Sequence, residues 1–155
     1  MFERIIVPLD GSSSSEAALT AAEALALRLG SSLVLLHVVE ARPPKAVHGE
    51  RHLADAAEAE AYLAAIASRL EACGLRVSAH VHDSAGGEAG GSSRAIGTRG
   101  VVASVAEHEA EFGNDLAVMA AHGRRGLSDA LSGSLPLRVA AAGGAAVLIV
   151  PRPPE

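Results

Sequence analysis

The sequence predicts an α/β domain in which a parallel sheet carries helices on both faces. Three observations predict it. Short apolar segments alternate with helical patterns in the order βαβαβαβαβ. Every gap between successive strand segments exceeds the roughly 12 residues that a parallel crossover needs. The residues available for a core are Val, Leu, Ile and Ala, because Phe2, Tyr62 and Phe112 are the only aromatics. That aliphatic supply suits strands buried from both sides, and right-handed crossovers then give a doubly wound, three-layer sheet. A length of 155 residues fits a single domain over 1–155 with one sizeable core.

The elements follow in order. Arg4–Leu9, Leu33–Val39 and Ala145–Val150 are nearly continuous apolar runs, as expected of strands covered on both faces. Leu116–Ala121 is a further strand. Val77–His82 differs: Val77, Ala79 and Val81 alternate with Ser78, His80 and His82, which predicts a half-exposed strand at a sheet edge. Ser13-x-x-Glu16 has the spacing of a capping box. Ala18, Ala22, Leu25 and Leu29 then form one apolar helical face, and Gly30 supplies the stop. Leu63, Ile66, Ala67 and Leu70 mark a second helix ending near Gly74, and Val101, Val102, Val105 and Phe112 a third ending at Gly113. A fourth runs from about Leu135 to Ala142 and stops at Gly143-Gly144. Two loops stand out. Arg42-Pro43-Pro44-Lys45 is expected to swing over the carboxyl edge of the sheet, and the glycine-rich stretch Asp83–Gly100 is expected to be a mobile insertion.

Composition narrows the function. A formal net charge of −5 disfavours broad nucleic-acid binding. Cys73 is the only cysteine, so it forms no internal disulfide and no metal framework, and it reads as a small apolar residue near a helix end. No signal peptide or membrane span is evident, which leads to the expectation of a cytoplasmic protein. The sole lysine, Lys45, lies in the Pro-rich loop, so there is no P-loop Gly-Lys-Ser/Thr. Neither a Gly-x-Ser-x-Gly elbow nor a Gly-x-Gly-x-x-Gly after the first strand is present. A phosphoacceptor domain would need more acids than Asp10 and a lysine near the end. The pairs His80/His82 and His48/His52 lack a carboxylate or thiol at ligand spacing and are read as solvated surface histidines.

Ligands of open parallel sheets bind beyond the carboxyl ends of the strands, where the strand order reverses. At that edge lie Asp10, Val38 and the stretch from Met119 to Ser134, which is rich in glycine, carries Arg124 and Arg125, and leads into the fourth helix. Two readings fit it. Gly133 and Ser134 at a helix start offer free N–H groups and a dipole to a phosphate, or the glycines serve turns and Ser134 is an N-cap. Asp10 likewise is either a ligand contact or a residue of the turn into the first helix. His122 and Arg124 either face a phosphate or point to water.

The opening Ile5-Ile6-Val7-Pro8-Leu9-Asp10-Gly11-Ser12 and the run Leu35-Leu36-His37-Val38-Val39 resemble the first two strands of the universal stress protein family. That family's nucleotide motif is Gly, two residues, Gly, nine residues, Gly, then Ser or Thr. Here Ala120, Gly123, Gly133 and Ser134 hold those places, with Ala120 departing from the pattern. The resemblance covers nearly the whole chain. It implies a Rossmann-like sheet of the adenine nucleotide alpha hydrolase type, with strand order 3-2-1-4-5. It implies that ATP, or ADP or AMP, binds with Mg²⁺. Asp10 and Val38 would lie on the adenine and ribose side, Met119 and Ala120 along the nucleoside, and Gly123, Gly133 and Ser134 at the phosphates, with Pro8, Arg124 and Leu135 counted among the nucleotide-site residues. It also implies a homodimer through the last strand, 145–150. Pro136 is a second departure, since it removes one N–H from the first turn of the fourth helix. The expected function is therefore an adenine-nucleotide-binding stress-response module. The alternatives are a nucleotide-free dimeric interaction protein of the same fold and a very slow ATPase relying on Ser134, His122 and a metal. No positioned general base can be named, so the chain is not expected to be a dedicated enzyme.

Overall fold

The computed structural model of the chain describes residues 1–39, 46–47, 50–51, 53, 55–83, 98–121, 135–142 and 144–151. Their elements are β1 (Arg4–Pro8), α1 (Ser13–Leu29), β2 (Ser32–Val39), β3 (Ala46–Val47), β4 (Glu50–Arg51), α2 (Ala56–Ala72), β5 (Val77–Asp83), α3 (Thr98–Phe112), β6 (Leu116–Ala120), α4 (Leu135–Ala142) and β7 (Ala146–Val150). The main sheet has the order β5-β2-β1-β6-β7, and every neighbouring pair is parallel. Counted over these five strands, this is the expected 3-2-1-4-5 order.

Strand alternation sorts the aliphatic side chains into two layers. Ile5, Val7, Leu33, Leu35, Leu116, Val118 and Ala120 face α1 and α2, where Ala18, Ala22, Ala26, Leu63 and Leu70 meet them. Ile6, Val34, Leu36, Val38, Ala117 and Met119 face α3 and α4, where Val105 and Val139 meet them. Ile5, Ile6, Val7, Leu33, Leu35 and Leu36 are all fully buried, and each such side chain contributes about 1.5–3 kcal/mol relative to exposure. The small residues of α1 let that helix sit close over the middle of the sheet.

Local chemistry sets the boundaries. Ser12, not Ser13, caps α1: its hydroxyl accepts from the Ser15 amide, and Glu16 falls one place beyond the capping-box position. Gly30 ends the helix in the left-handed region at φ 71°. Asp55 caps α2 by accepting from the Glu58 amide. Gly113 closes α3 at φ 61°, and the predicted bounds of α4 match Leu135–Ala142. Cys73 is the C-cap of α2, as its position suggested, but it is exposed rather than packed.

Three segments differ from the sequence expectation. Ala46–Val47 and Glu50–Arg51 form a small antiparallel pair, β3 with β4, that the sequence reading did not include. His48, His52 and the loop Arg42–Lys45 themselves lie outside the described residues. The stretch Asp83–Gly100 is shorter than expected, because β5 continues through Asp83 and α3 begins at Thr98; residues 84–97 lie outside the described ones. His80 and His82 are half-buried against α3 rather than solvated.

At the amino edge of the sheet sits a buried acid. Glu109 of α3 is 3% exposed. Its Oε2 accepts from the Ala145 amide at 3.4 Å, while Oε1 has no partner. The nearby Asn114, whose amide N–H donates to the Glu109 carbonyl, likewise leaves Oδ1 unpaired. Burial pushes the Glu109 carboxyl above the usual range, and the Ala145 hydrogen bond opposes this only in part. A carboxyl raised by folding stabilises the native state most below its unfolded value of 4.5, and that contribution is lost as the pH rises through the raised value. Glu109→Gln, which has no charge to desolvate at this site, is therefore expected to be more stable than wild type at pH 7. The gap should close toward pH 4.5; urea denaturation at both pH values measures it, and a variant weaker than wild type at pH 7 would contradict this account. A second expectation concerns Gly11, which has φ 84° and whose added Cβ would lie 2.8 Å from Leu53 Cγ. Gly11→Ala should cost at least about 1–2 kcal/mol in the same assay, from the left-handed backbone alone.

Candidate functional site

The carboxyl edge opens between β1 and β6. Their register runs Ile5↔Leu116 and Ile6↔Ala117 and goes no further. Beyond that point each strand bonds away from the other. β1 stays paired with β2 through Pro8↔Leu36, extended by the Leu9 amide donating to the Leu36 carbonyl. β6 stays paired with β7 through Ala120↔Val150, extended by the Ala121 amide donating to the Val150 carbonyl. Chain order reverses at this same place, since β1 leads to β2 on one side and β6 leads to β7 on the other. Pro8 offers no N–H to continue the β1–β6 ladder, and such a switch point is where open parallel sheets hold their ligands.

Val38, Met119 and Leu135 come together here within the α3/α4 layer. Val38 is 7% and Met119 3% exposed, and Leu135, the first residue of α4, is half-buried against the same cluster. Pro8, half-buried, ends β1 on the same face as Ile6 by strand alternation. Ala120 points the other way, into the α1/α2 layer, where it is 4% exposed. It is the last residue of an extended strand, so its methyl group meets no left-handed backbone. Met119 and Ala120, adjacent in sequence, thus serve opposite layers. Gly123, Arg124, Gly133 and Ser134, with His122, lie outside the described residues.

Asp10 lies just past β1 and is half-buried. Its Oδ1 accepts from the Ser12 amide at 2.9 Å and from the Ser12 hydroxyl at 2.6 Å. The side chain therefore shapes the turn into α1, and the capping Ser12 is oriented by it. Tyr62 of α2 stands close behind, its hydroxyl donating to Glu16 Oε1 at 3.1 Å. Burial, then the negative charges of Glu16 and Asp10, hold the phenol well above its ordinary range, so it remains a neutral donor.

One residue at this edge was not picked out as functional from sequence. His37 of β2 is 1% exposed. Its Nδ1 lies 2.7 Å from the Leu9 carbonyl and its Nε2 3.0 Å from the Leu53 carbonyl. The imidazole thereby ties the end of β1 to the segment that follows β4. Leu53 lies over Gly11, and its amide donates to the Asp10 carbonyl at 3.4 Å. The signal was a lone polar residue inside the run Leu35–Val39, a pattern that demands buried hydrogen-bond partners. Among the described residues no group of three or more His, Cys, Asp or Glu is arranged to hold a metal, and no helix is long and apolar enough to cross a membrane.

Comparison with known proteins gives a consistent picture of the fold. The model of the universal stress protein family matches residues 1–151. No curated protein matches the chain. A solved universal stress protein in complex with cAMP is similar at 23% identity and TM-score 0.65, with 96% of each chain covered. The universal stress protein from Archaeoglobus fulgidus in complex with dAMP is similar at 16% identity and TM-score 0.60, covering 96% of this chain and 97% of that one. A universal stress protein family protein from Arabidopsis thaliana with AMP bound is similar at 14% identity and TM-score 0.61, covering 97% of this chain and 92% of that one. With the family match spanning nearly the whole length and the strand order in agreement, this chain belongs to the universal stress protein family.

Proposed function

We propose that this chain binds an adenine nucleotide, ATP or its ADP or AMP counterpart, in the crevice between β1 and β6. It would act as a single-domain regulatory module of the cytoplasmic stress response rather than as a dedicated enzyme. The observation that carries the reading is the parting of β1 from β6 at the switch point, with Val38, Met119 and Leu135 gathered beside it. An apolar wall of that kind suits a purine base, and the turn at Asp10 stands where a ribose hydroxyl would seek an acceptor. The stretch 122–134 that follows carries Gly123, Arg124, Gly133 and Ser134, the residue types that meet phosphates at a helix start. Mg²⁺ would arrive with the phosphates. Three related structures contain cAMP, dAMP or AMP, which supports an adenine nucleotide over other ligands. The Ala120 departure weighs little against this, because its methyl group is turned into the α1/α2 layer.

We further propose a homodimer through β7. That strand ends the sheet, and Leu148 and Ile149 are 39% and 38% exposed on it. An unpaired edge bearing aliphatic side chains invites a second strand. Binding would shift the populations of the loop arrangements that partner proteins meet.

Isothermal titration with ATP, ADP and AMP, with and without Mg²⁺, is the test. Binding is expected, and Gly133→Leu should weaken it by about 100-fold, the scale of losing charge-assisted amide contacts. Unchanged affinity in that variant would mean the phosphate site is misplaced. No binding by the wild type would leave the nucleotide-free scaffold as the function. Native mass spectrometry of the purified chain is expected to show two subunits, with nucleotide retained.

A further inference from the structure

Four rings meet between the edge strand β5 and α3. His80 and His82 are two residues apart on β5, an advance of about 6.6 Å. His108 and Phe112 are four apart on α3, an advance of about 6.0 Å. The helix runs back along the strand, so the two pairs fall into register. His80 lies against Phe112 with centroids 4.4 Å apart. His82 meets His108 edge-on at 5.3 Å and 86°, while His80 and His108 are 6.3 Å apart. His108 is 9% exposed, and its Nδ1 donates to the Ser104 carbonyl at 2.8 Å. Three imidazoles thus share a half-buried seam, near enough for a charge on one to be felt by the next.

Among the described residues, little opposite charge faces them. Glu111 on α3 favours a charged His80, but it is exposed, as is Glu107. Glu109, the third acid of that turn, is engaged with Ala145 at the start of β7. From β2, Leu36 and Val38 pair with His80 and His82 and carry no charge. Burial first, then the His108 charge, pull His80 below the ordinary imidazole range, with Glu111 opposing.

We propose that this seam is a proton-sensitive joint, closed while His80 is neutral and loosened in mild acid when His80 takes up a proton among the packed rings, so that α3 relaxes its hold on the edge strand. The sign follows from His80. A histidine whose folded value is depressed contributes stability above its unfolded value of 6.5 and loses that contribution as the pH falls toward the folded one. The effect reaches further than the edge. Val105 of α3 packs in the same cluster as Val38 and Met119, so a loosened α3 disturbs the apolar wall beside the crevice.

Hydrogen exchange of the nucleotide-free full chain at pH 7.5 and 5.5, corrected for intrinsic rates, tests the joint. Amides of α3 are expected to lose protection at pH 5.5 while those of α1 keep theirs. In the double variant His80→Phe, His108→Phe, which retains ring shape but not charge, the loss should shrink. Undiminished α3 protection in the wild type, or an equal loss in the variant, overturns the proposal. Should the variant fail to fold, NMR titration of the wild-type His80 ring decides: a midpoint below that of a free histidine is expected, and one equal to it overturns the joint.

Discussion

Ile6 and Ala117 are the last register partners of the two central strands, and the carboxyl edge of the molecule is organised by that separation. A parallel strand has one ladder on each side. Once β1 and β6 turn to β2 and β7 for their last bonds, the space between them can be filled only by side chains, by neighbouring loops or by a ligand. Val38, Met119 and Leu135 come to its wall because alternation and the start of α4 send them to one layer. Asp10 comes to its rim because the same strand end must turn at once into α1.

The separation is affordable because the rest of the sheet is held by aliphatic packing that needs no polar help. Two layers of Val, Leu, Ile and Ala cover the strands, and adjacent residues of a strand answer to different helices. Any site drawn from consecutive positions therefore reaches into both layers. A change at Met119 is felt by α3 and α4, whereas one at Ala120 is felt by α1. Polar groups that enter this setting are conspicuous. His37 is accommodated by two carbonyls, and Glu109 is accommodated at only one of its oxygens.

Much of the architecture was legible because its signals are local or strictly periodic. Continuous apolar runs marked β1, β2 and β7, the alternation from Val77 to His82 marked β5 as an edge, and Gly30 and Gly113 marked helix ends. Val38, Met119 and Leu135 were each named from the family resemblance, and all three belong to the α3/α4 layer. What escaped was long-range. Nothing in the spacing of His80 and His82 announces that His108 and Phe112 will cover them, because the contact spans the whole crossover. The acid Glu109 sits in a stretch rich in glutamate, where burial of one carboxyl leaves no pattern. The cap moved from Ser13 to Ser12 because four consecutive serines offer the same chemistry, and Asp10 decides among them. The β3–β4 pair is too short for periodicity to register.

The scarcity of aromatic rings has an optical consequence. With no tryptophan and one tyrosine, nearly all near-ultraviolet emission from this protein originates at Tyr62. That phenol bridges α2 to Glu16 at the foot of α1, close enough to Asp10 to sense its charge. The chain thus carries a native single-site fluorophore beside the turn from β1 into α1, and a change in the first turn of α1 would be visible as a change in its brightness without any label.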